Sequence, residues 1–390
     1  MNQFNAALNE RLAAIREQGL YRELRRVDSP QSPRIQINGK TVLNFSSNDY
    51  LGLANEPAIK EAAIKAVEKF GAGTGASRLI CGSLAPHHEL DEALAAFKGV
   101  EAALSFSTGY AAAIGTMGAL VGKGDVLVID KLVHASIVDG ARLSGAKLRV
   151  FSHNDLNKLE DILKWARSAQ STARVLIVTE SVFSMDGDYA PLREIVDLKN
   201  KYGAWLMVDE AHATGLYGKH RRGLAEESGV SGAIDVQMGT LGKALGASGG
   251  YIAGSRTLVD FLINRARSFI FSTAPVPAAA AAATEGVRFV QSPRGKARTT
   301  LLWERVNEFH SLLNAPAPKF LSAIIPIIIG DETKALETAT TLRDQNIFVP
   351  AIRYPTVARG EARLRVTVTA AHKADDLKQL AAALKGIRDL

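Results

Sequence analysis

VLIVTESVFSMDGDYAPLREIVDLKNKYGAWLMVDE, residues 175–210, decides the fold class. Two apolar runs, RVLIVTES (174–181) and AWLMVDE (204–210), flank LREIVDLKNKYG (192–203), which has a helical pattern. The runs are continuously apolar rather than alternating, so they read as strands buried on both faces. Outward from this unit the pattern repeats. ALSFST, DVLVID, KLRVFS and GGYIAGS are further strand candidates, and LNKLEDILKWARS is a further helix. Strands alternating with helices predict an α/β fold: a largely parallel sheet with both faces covered.

In such a sheet, ligands bind beyond the C-terminal ends of the strands. The polar residues that could carry chemistry fall there: Ser107-Thr108-Gly109, His134, Ser181 to Ser184, Asp209 to His212, and Thr240 to Lys243.

Towards the N-terminus, residues 1–27 read as helical, and Asp28-Ser29-Pro30 with Ser32-Pro33 break the pattern. Asn38-Gly39 between two alternating runs predicts a hairpin. Pro57 opens a helical stretch that ends at Gly71. PVPAAAAAATEGV (275–287) reads as a packed helix, and the chain then turns polar. These shifts predict an N-terminal helix and hairpin arm (1–45), a large domain (46–287) and a small α+β C-terminal domain (288–390). There is no internal repeat.

The 390 residues are 47% hydrophobic and 22% charged, as in ordinary folded proteins. Net charge is +7 and the sequence pI about 9.4, with the basic residues scattered. That balance reads first as a mildly basic enzyme surface and second as attraction to an anionic substrate or an acidic carrier protein; nucleic acid fits less well, because no recognition motif is present. The lone cysteine, Cys81, excludes an internal disulfide or a CxxC metal site. The N-terminal stretch lacks the apolar core of a signal peptide, and no run approaches the ~20 apolar residues of a membrane span. A cytoplasmic location is expected.

Three short motifs fail on their mechanics. Lys243 is followed by Ala244 and Gly239 is too close, so no phosphate-binding P-loop is present. GAGTGA (71–76) fits a loose dinucleotide fingerprint, but it follows a helical stretch instead of a strand. His87-His88-Glu89 lacks zinc-site spacing, and no metal is expected.

What survives is a constellation. Asp209 ends a buried strand, where a carboxylate needs a cation or donor. His212 follows it in DEAHATG, His134 follows a similar strand, and Lys243 lies among small residues in TLGKALGASGG (240–250). A lysine desolvated near a ligand crevice can act on a carbonyl. Pyridoxal 5′-phosphate (PLP) chemistry uses all these types: a lysine for the aldehyde, an acid for the pyridinium nitrogen, a flat partner for the ring, and a helix N-terminus for the phosphate. The turn opening STGYAAAIGTMGAL (107–120) supplies the last.

With these residues in view, the chain resembles the α-oxoamine synthases, PLP enzymes of the aspartate-aminotransferase fold type (fold type I). The resemblance spans nearly the whole chain. It rests on NFSSNDYLGL (44–53), GTGASRLICGS (73–83), FSTGYAA (106–112), DKLVHASIVDGARLS (130–144), TESVFSMDGDYAPL (179–192), MVDEAHATGLYG (207–218), GTLGKALGASGGYIAGS (239–255), FIFSTAPVP (269–277) and RYPTVARGEARLRVTVTAAH (353–372). It implies that Lys243 forms the Schiff base and moves protons, that Asp209 pairs with the pyridinium, and that His134 stacks on the ring. His212, with Ser184 nearby, would meet the phenolic oxygen. The backbone of Gly109 and Tyr110, together with Thr240, would hold the phosphate, and Thr273 would reach it from the other subunit of a homodimer. Asn48 and Arg365 resemble amino-acid carboxylate contacts, and Arg22 and Thr356 acyl-side contacts.

Within the family the chain resembles the branch that condenses L-alanine with a pimeloyl thioester, carried on CoA or acyl carrier protein, during biotin synthesis. Three readings stay open beside it: a sister synthase acting on glycine or serine, an NAD-dependent dehydrogenase using GAGTGA, and a basic nucleic-acid-binding protein. Lys219 to Gly223 departs from the family pattern and receives no role.

Overall fold

In a computed structural model describing residues 2–169, 172–314 and 318–387, seven strands form one mixed sheet. Their spatial order is Ala102–Phe106, Gly250–Gly254, Val236–Thr240, Trp205–Asp209, Val175–Glu180, Val126–Asp130 and Lys147–Phe151. Gly250–Gly254 runs antiparallel to both neighbours, and every other pairing is parallel. Gly250–Gly254, Val175–Glu180 and Val126–Asp130 in the interior, and Ala102–Phe106 at one edge, are buried along their whole length, and Trp205–Asp209 and Val236–Thr240 are buried except at Trp205 and Thr240. Lys147–Phe151, at the other edge, is the most open strand, and its charged residues match that position.

The Val236–Thr240 strand is absent from the sequence-based expectation. Its residues, VQMGT, contain no continuous apolar run. Gln237 is nevertheless buried and donates to the Ser231 carbonyl at 3.3 Å. Gly239 is bare because the Tyr251 ring occupies the space: a Cβ there would lie 2.4 Å from the Tyr251 hydroxyl.

The described chain divides into two compact units. The larger comprises Ser47–Ile325 and Thr367–Lys378 and contains the seven-stranded sheet. The smaller comprises Met1–Ser46, Pro326–Val366 and Gln379–Leu390. This division departs from the expected boundaries. The polar stretch after 287 opens no new unit, because it forms the end of the helix Pro277–Gln291 and the following helix, Pro293–Leu312. Nor is the N-terminal arm separate. Lys40–Asn44 pairs in parallel with Ile347–Phe348, and the Leu43 N–H donates to the Asn346 carbonyl at 2.7 Å.

The predicted hairpin is present, with Ile37 paired to Lys40 and both turn residues, Asn38 and Gly39, at positive φ. The helix expected over 1–27 ends at Glu17, next to a Gly19 in the left-handed region (φ +66°). Arg22 therefore lies beyond the helix.

Candidate active site

The larger unit gathers the expected residues at the C-terminal ends of its parallel strands. Lys243 sits in the turn after Val236–Thr240, and its Nζ lies 2.8 Å from His212 Nε2. The other ring nitrogen of His212, Nδ1, lies 2.6 Å from the hydroxyl of buried Tyr50. That hydroxyl is also 3.3 Å from Asn48 Oδ1, which brings Asn48 into the same cluster. Both nitrogens of a buried imidazole are thereby engaged, which fixes the ring's orientation.

Asp209 ends the neighbouring strand and is buried. One of its oxygens accepts the Ala211 N–H at 2.9 Å, which shapes the turn carrying His212. Burial pushes its carboxyl above the ordinary value, opposed by the Lys243 charge, the Ala211 amide and the His134 charge. His134 caps the helix Ala135–Ser144, with Nδ1 2.8 Å from the Ser136 hydroxyl. Burial lowers its pKa from the ordinary histidine value, opposed by the Asp209 charge and reinforced by that of Lys243.

The N-terminus of the helix Gly109–Leu120 opens at the same end of the sheet. Thr108 caps it by accepting the Ala111 N–H at 2.9 Å. A Cβ on Gly109 would lie 3.9 Å from Thr240, so these two expected phosphate contacts are neighbours. Gly250 is bare because a Cβ there would lie 2.5 Å from the Gly109 Cα. Backbone amides at a helix start, without side chains in the way, form an anion cradle. Tyr110 contributes backbone to this turn, while its hydroxyl donates to Asp139 at 2.8 Å.

Four supporting groups escaped the sequence reading. Tyr50, within NFSSNDYLGL, holds His212 through its hydroxyl. Glu180, fully buried at the end of Val175–Glu180, accepts the His134 N–H and the Ser184 N–H. Lys98 pairs with Glu210 at 2.5 Å. His153 bridges Asp130 at 3.0 Å and Asp188 at 2.8 Å. Each joins segments distant in the chain, and no local pattern signals such a pairing.

Thr273 lies in a bridge with Ser77, on an exposed segment of the larger unit. Arg22, Thr356 and Arg365 belong to the smaller unit, where Arg365 is buried in the strand Ala362–Thr367 and the other two are exposed. The loop Lys219 to Gly223 acquires a structural part: Lys98 Nζ donates to the Arg222 carbonyl at 2.6 Å, and Gly223 passes against the Glu210 carboxylate.

Residues 40–384 match the family model for aminotransferase class I and II. The chain belongs to that family. Among class I and II aminotransferase relatives, it is 48% identical to the 8-amino-7-oxononanoate synthase of Geobacter sulfurreducens over 96% of each chain. It is 46% identical to the one of Thermoanaerobacter pseudethanolicus, covering 97% of this chain and 95% of that one. A solved structure of SPT (serine palmitoyltransferase) with PLP as its internal aldimine superposes with a TM-score of 0.90 at 30% identity, covering 97% of this chain and 96% of that one. The fold of this family member is thus the aspartate-aminotransferase-like α/β fold that the strand pattern and the motifs led us to expect.

Proposed function

We propose that this chain is a PLP-dependent acyltransferase that condenses L-alanine with a pimeloyl thioester to give 8-amino-7-oxononanoate, a step of biotin synthesis. The observation that carries the reading is the Lys243–His212–Asp209 cluster at the strand ends, in a chain 48% identical to a synthase of that name.

The residues present fit the cofactor. Asp209 is a buried carboxyl whose own surroundings leave it costly to ionise, so a cationic ring N–H completes it. The bare helix start at Gly109 and Tyr110, beside Thr240, fits a phosphate. His134 supplies a flat ring, and His212 with Ser184 supplies donors for the phenolic oxygen. PLP, when bound, supplies an electron sink that stabilises negative charge at the amino-acid α-carbon.

The chain's own groups do the rest. Lys243 is the residue to hold the aldehyde carbon and, when the substrate amine takes its place, to move the α-proton at Nζ. His212 holds that Nζ at 2.8 Å and Tyr50 holds His212 in turn. Asp209 keeps the ring nitrogen protonated. Overall, the alanine α-carbon joins the pimeloyl carbonyl carbon, the thiol leaves, and the alanine carboxyl departs as CO2. The substrate contacts assigned to Asn48, Arg22, Thr356 and Arg365 rest on the family resemblance.

A homodimer and a cytoplasmic location belong to the same reading. Ile80 (79% exposed) and Phe271 (71% exposed), with Leu79 and Val276, are exposed apolar residues within a few positions of the bridged Ser77 and Thr273, and a second copy would bury them. Thr273 would then serve the partner subunit's phosphate site. Among the described residues no helix is long and apolar enough to cross a membrane. The net charge of +7 favours an acidic acyl carrier or CoA.

The test pairs L-alanine, glycine or L-serine with pimeloyl-, acetyl-, succinyl- or palmitoyl-CoA, and pimeloyl-carrier protein with L-alanine, and measures thiol release. Turnover with L-alanine and a pimeloyl thioester supports the proposal. Turnover confined to another pair overturns the substrate assignment. A protein that takes up no PLP, or whose Lys243→Ala variant keeps a borohydride-reducible link, overturns the whole reading.

A further inference from the structure

Glu180 and Asp209 are register partners on adjacent parallel strands, Val175–Glu180 and Trp205–Asp209. In-register neighbours point to the same face of a sheet, about 4.8 Å apart along the hydrogen-bonding direction. Two buried carboxyls in that relation repel one another, so the placement is unfavourable unless each has separate work. Asp209 has its assigned work. Glu180 is not one of the groups expected to touch cofactor or substrate, and it is fully buried.

Its contacts point to its use. The His134 N–H donates to Glu180 Oε1, and the Ser184 N–H donates to the same carboxyl. His134 starts the helix Ala135–Ser144, after the Val126–Asp130 strand. Ser184 lies in the turn after Val175–Glu180 itself. These two segments carry the flat ring and a hydroxyl that the proposed function places on one cofactor. We propose that Glu180 is a positioning residue of the site: one buried carboxyl gathers the backbone N–H groups of His134 and Ser184 and fixes both side chains relative to Asp209. The inference rests on the PLP reading above and adds a residue to it. Burial and the Asp209 charge push the Glu180 carboxyl up to about 8, while Lys243 and the two amides pull the other way.

The experiment compares wild type, Glu180→Ala and Glu180→Gln. Three quantities are read: the PLP dissociation constant of the apoprotein, the induced circular dichroism of bound PLP, and hydrogen exchange at the His134 and Ser184 amides without PLP. Glu180→Ala is expected to weaken PLP about tenfold or more, to reduce the induced dichroism, and to speed exchange at both amides. Glu180→Gln keeps one carbonyl oxygen and is expected to fall between. A merely structural carboxyl would change thermal stability while leaving PLP affinity and dichroism at wild-type values, and that result overturns the proposal. If Glu180→Ala does not fold, Glu180→Gln decides: wild-type exchange at both amides with wild-type PLP affinity overturns it. Wild-type protein that binds no PLP would sink the cofactor reading instead, while fast exchange at both amides in wild type would sink the Glu180 contact alone.

Discussion

Lys98 and Glu210 form an ion pair of 2.5 Å in which each side chain is 1% exposed. Glu210 directly follows Asp209 in the chain. Lys98 also donates to the Arg222 carbonyl, and Glu210 accepts the Ala225 N–H at 2.9 Å. Both charges are thus fully engaged, which is the condition under which a buried pair is tolerated. Breaking it by Lys98→Met strands the Glu210 carboxylate. The variant should lose about 3–5 kcal/mol of stability by chemical denaturation. Lys98→Met with Glu210→Gln should recover part of that loss, because no uncompensated charge remains. A Lys98→Met protein of wild-type stability would contradict this account.

His153 offers a pH-dependent contribution. Burial opposes its charge, but hydrogen bonds and attraction to Asp130 and Asp188 outweigh burial and raise its pKa from 6.5 to about 10. A raised pKa means that the charged form is favoured on folding. The stabilisation is complete below about pH 6.5 and is lost as pH rises towards 10. The stability difference between wild type and His153→Gln should therefore be large at pH 6 and small at pH 10. A difference independent of pH would count against the clamp.

At the anion cradle, Gly250→Ala places a Cβ 2.5 Å from the Gly109 Cα, and backbone must move. Overpacking of this kind costs about 1–3 kcal/mol. Because the displaced backbone is the helix start expected to hold phosphate, PLP affinity should fall more steeply than stability. Gly232→Ala, where a Cβ meets nothing within 4 Å, is the control and should match wild type in both measurements.

Tyr50→Phe removes the hydroxyl 2.6 Å from His212 Nδ1 and keeps the buried ring. The fold should survive with a loss of about 1 kcal/mol. His212 then loses a contact that orients it towards Lys243, so the absorption spectrum of bound PLP should change and kcat should fall more than KM rises. An unchanged spectrum with unchanged kcat would remove Tyr50 from the site's support.

Much of the site was legible in the chain because its signals are local. Apolar runs such as VLVID and WLMVD mark buried strands within five residues, and His134 and Asp209 stand at or just beyond the ends of such strands. The Val236–Thr240 strand escaped because its polar Gln237 and bare Gly239 are explained only by Ser231 and the Tyr251 ring. The end of the first helix at Glu17 was overrun because charged, amphipathic residues continue past Gly19.

Residue identity and local period thus pointed to the α/β fold class and to a set of polar groups that the fold gathers at the strand ends. Folding settled what holds those groups in place. Lys98 meets Glu210 across 112 positions, and Glu180 reaches the His134 amide across 46. Such contacts depend on strand register and on which helix packs where, and their partners are often backbone atoms that every residue carries. A pattern along one chain contains no term for them. The same reason joins the N-terminal arm to the 347–348 strand, a pairing between segments about 300 residues apart.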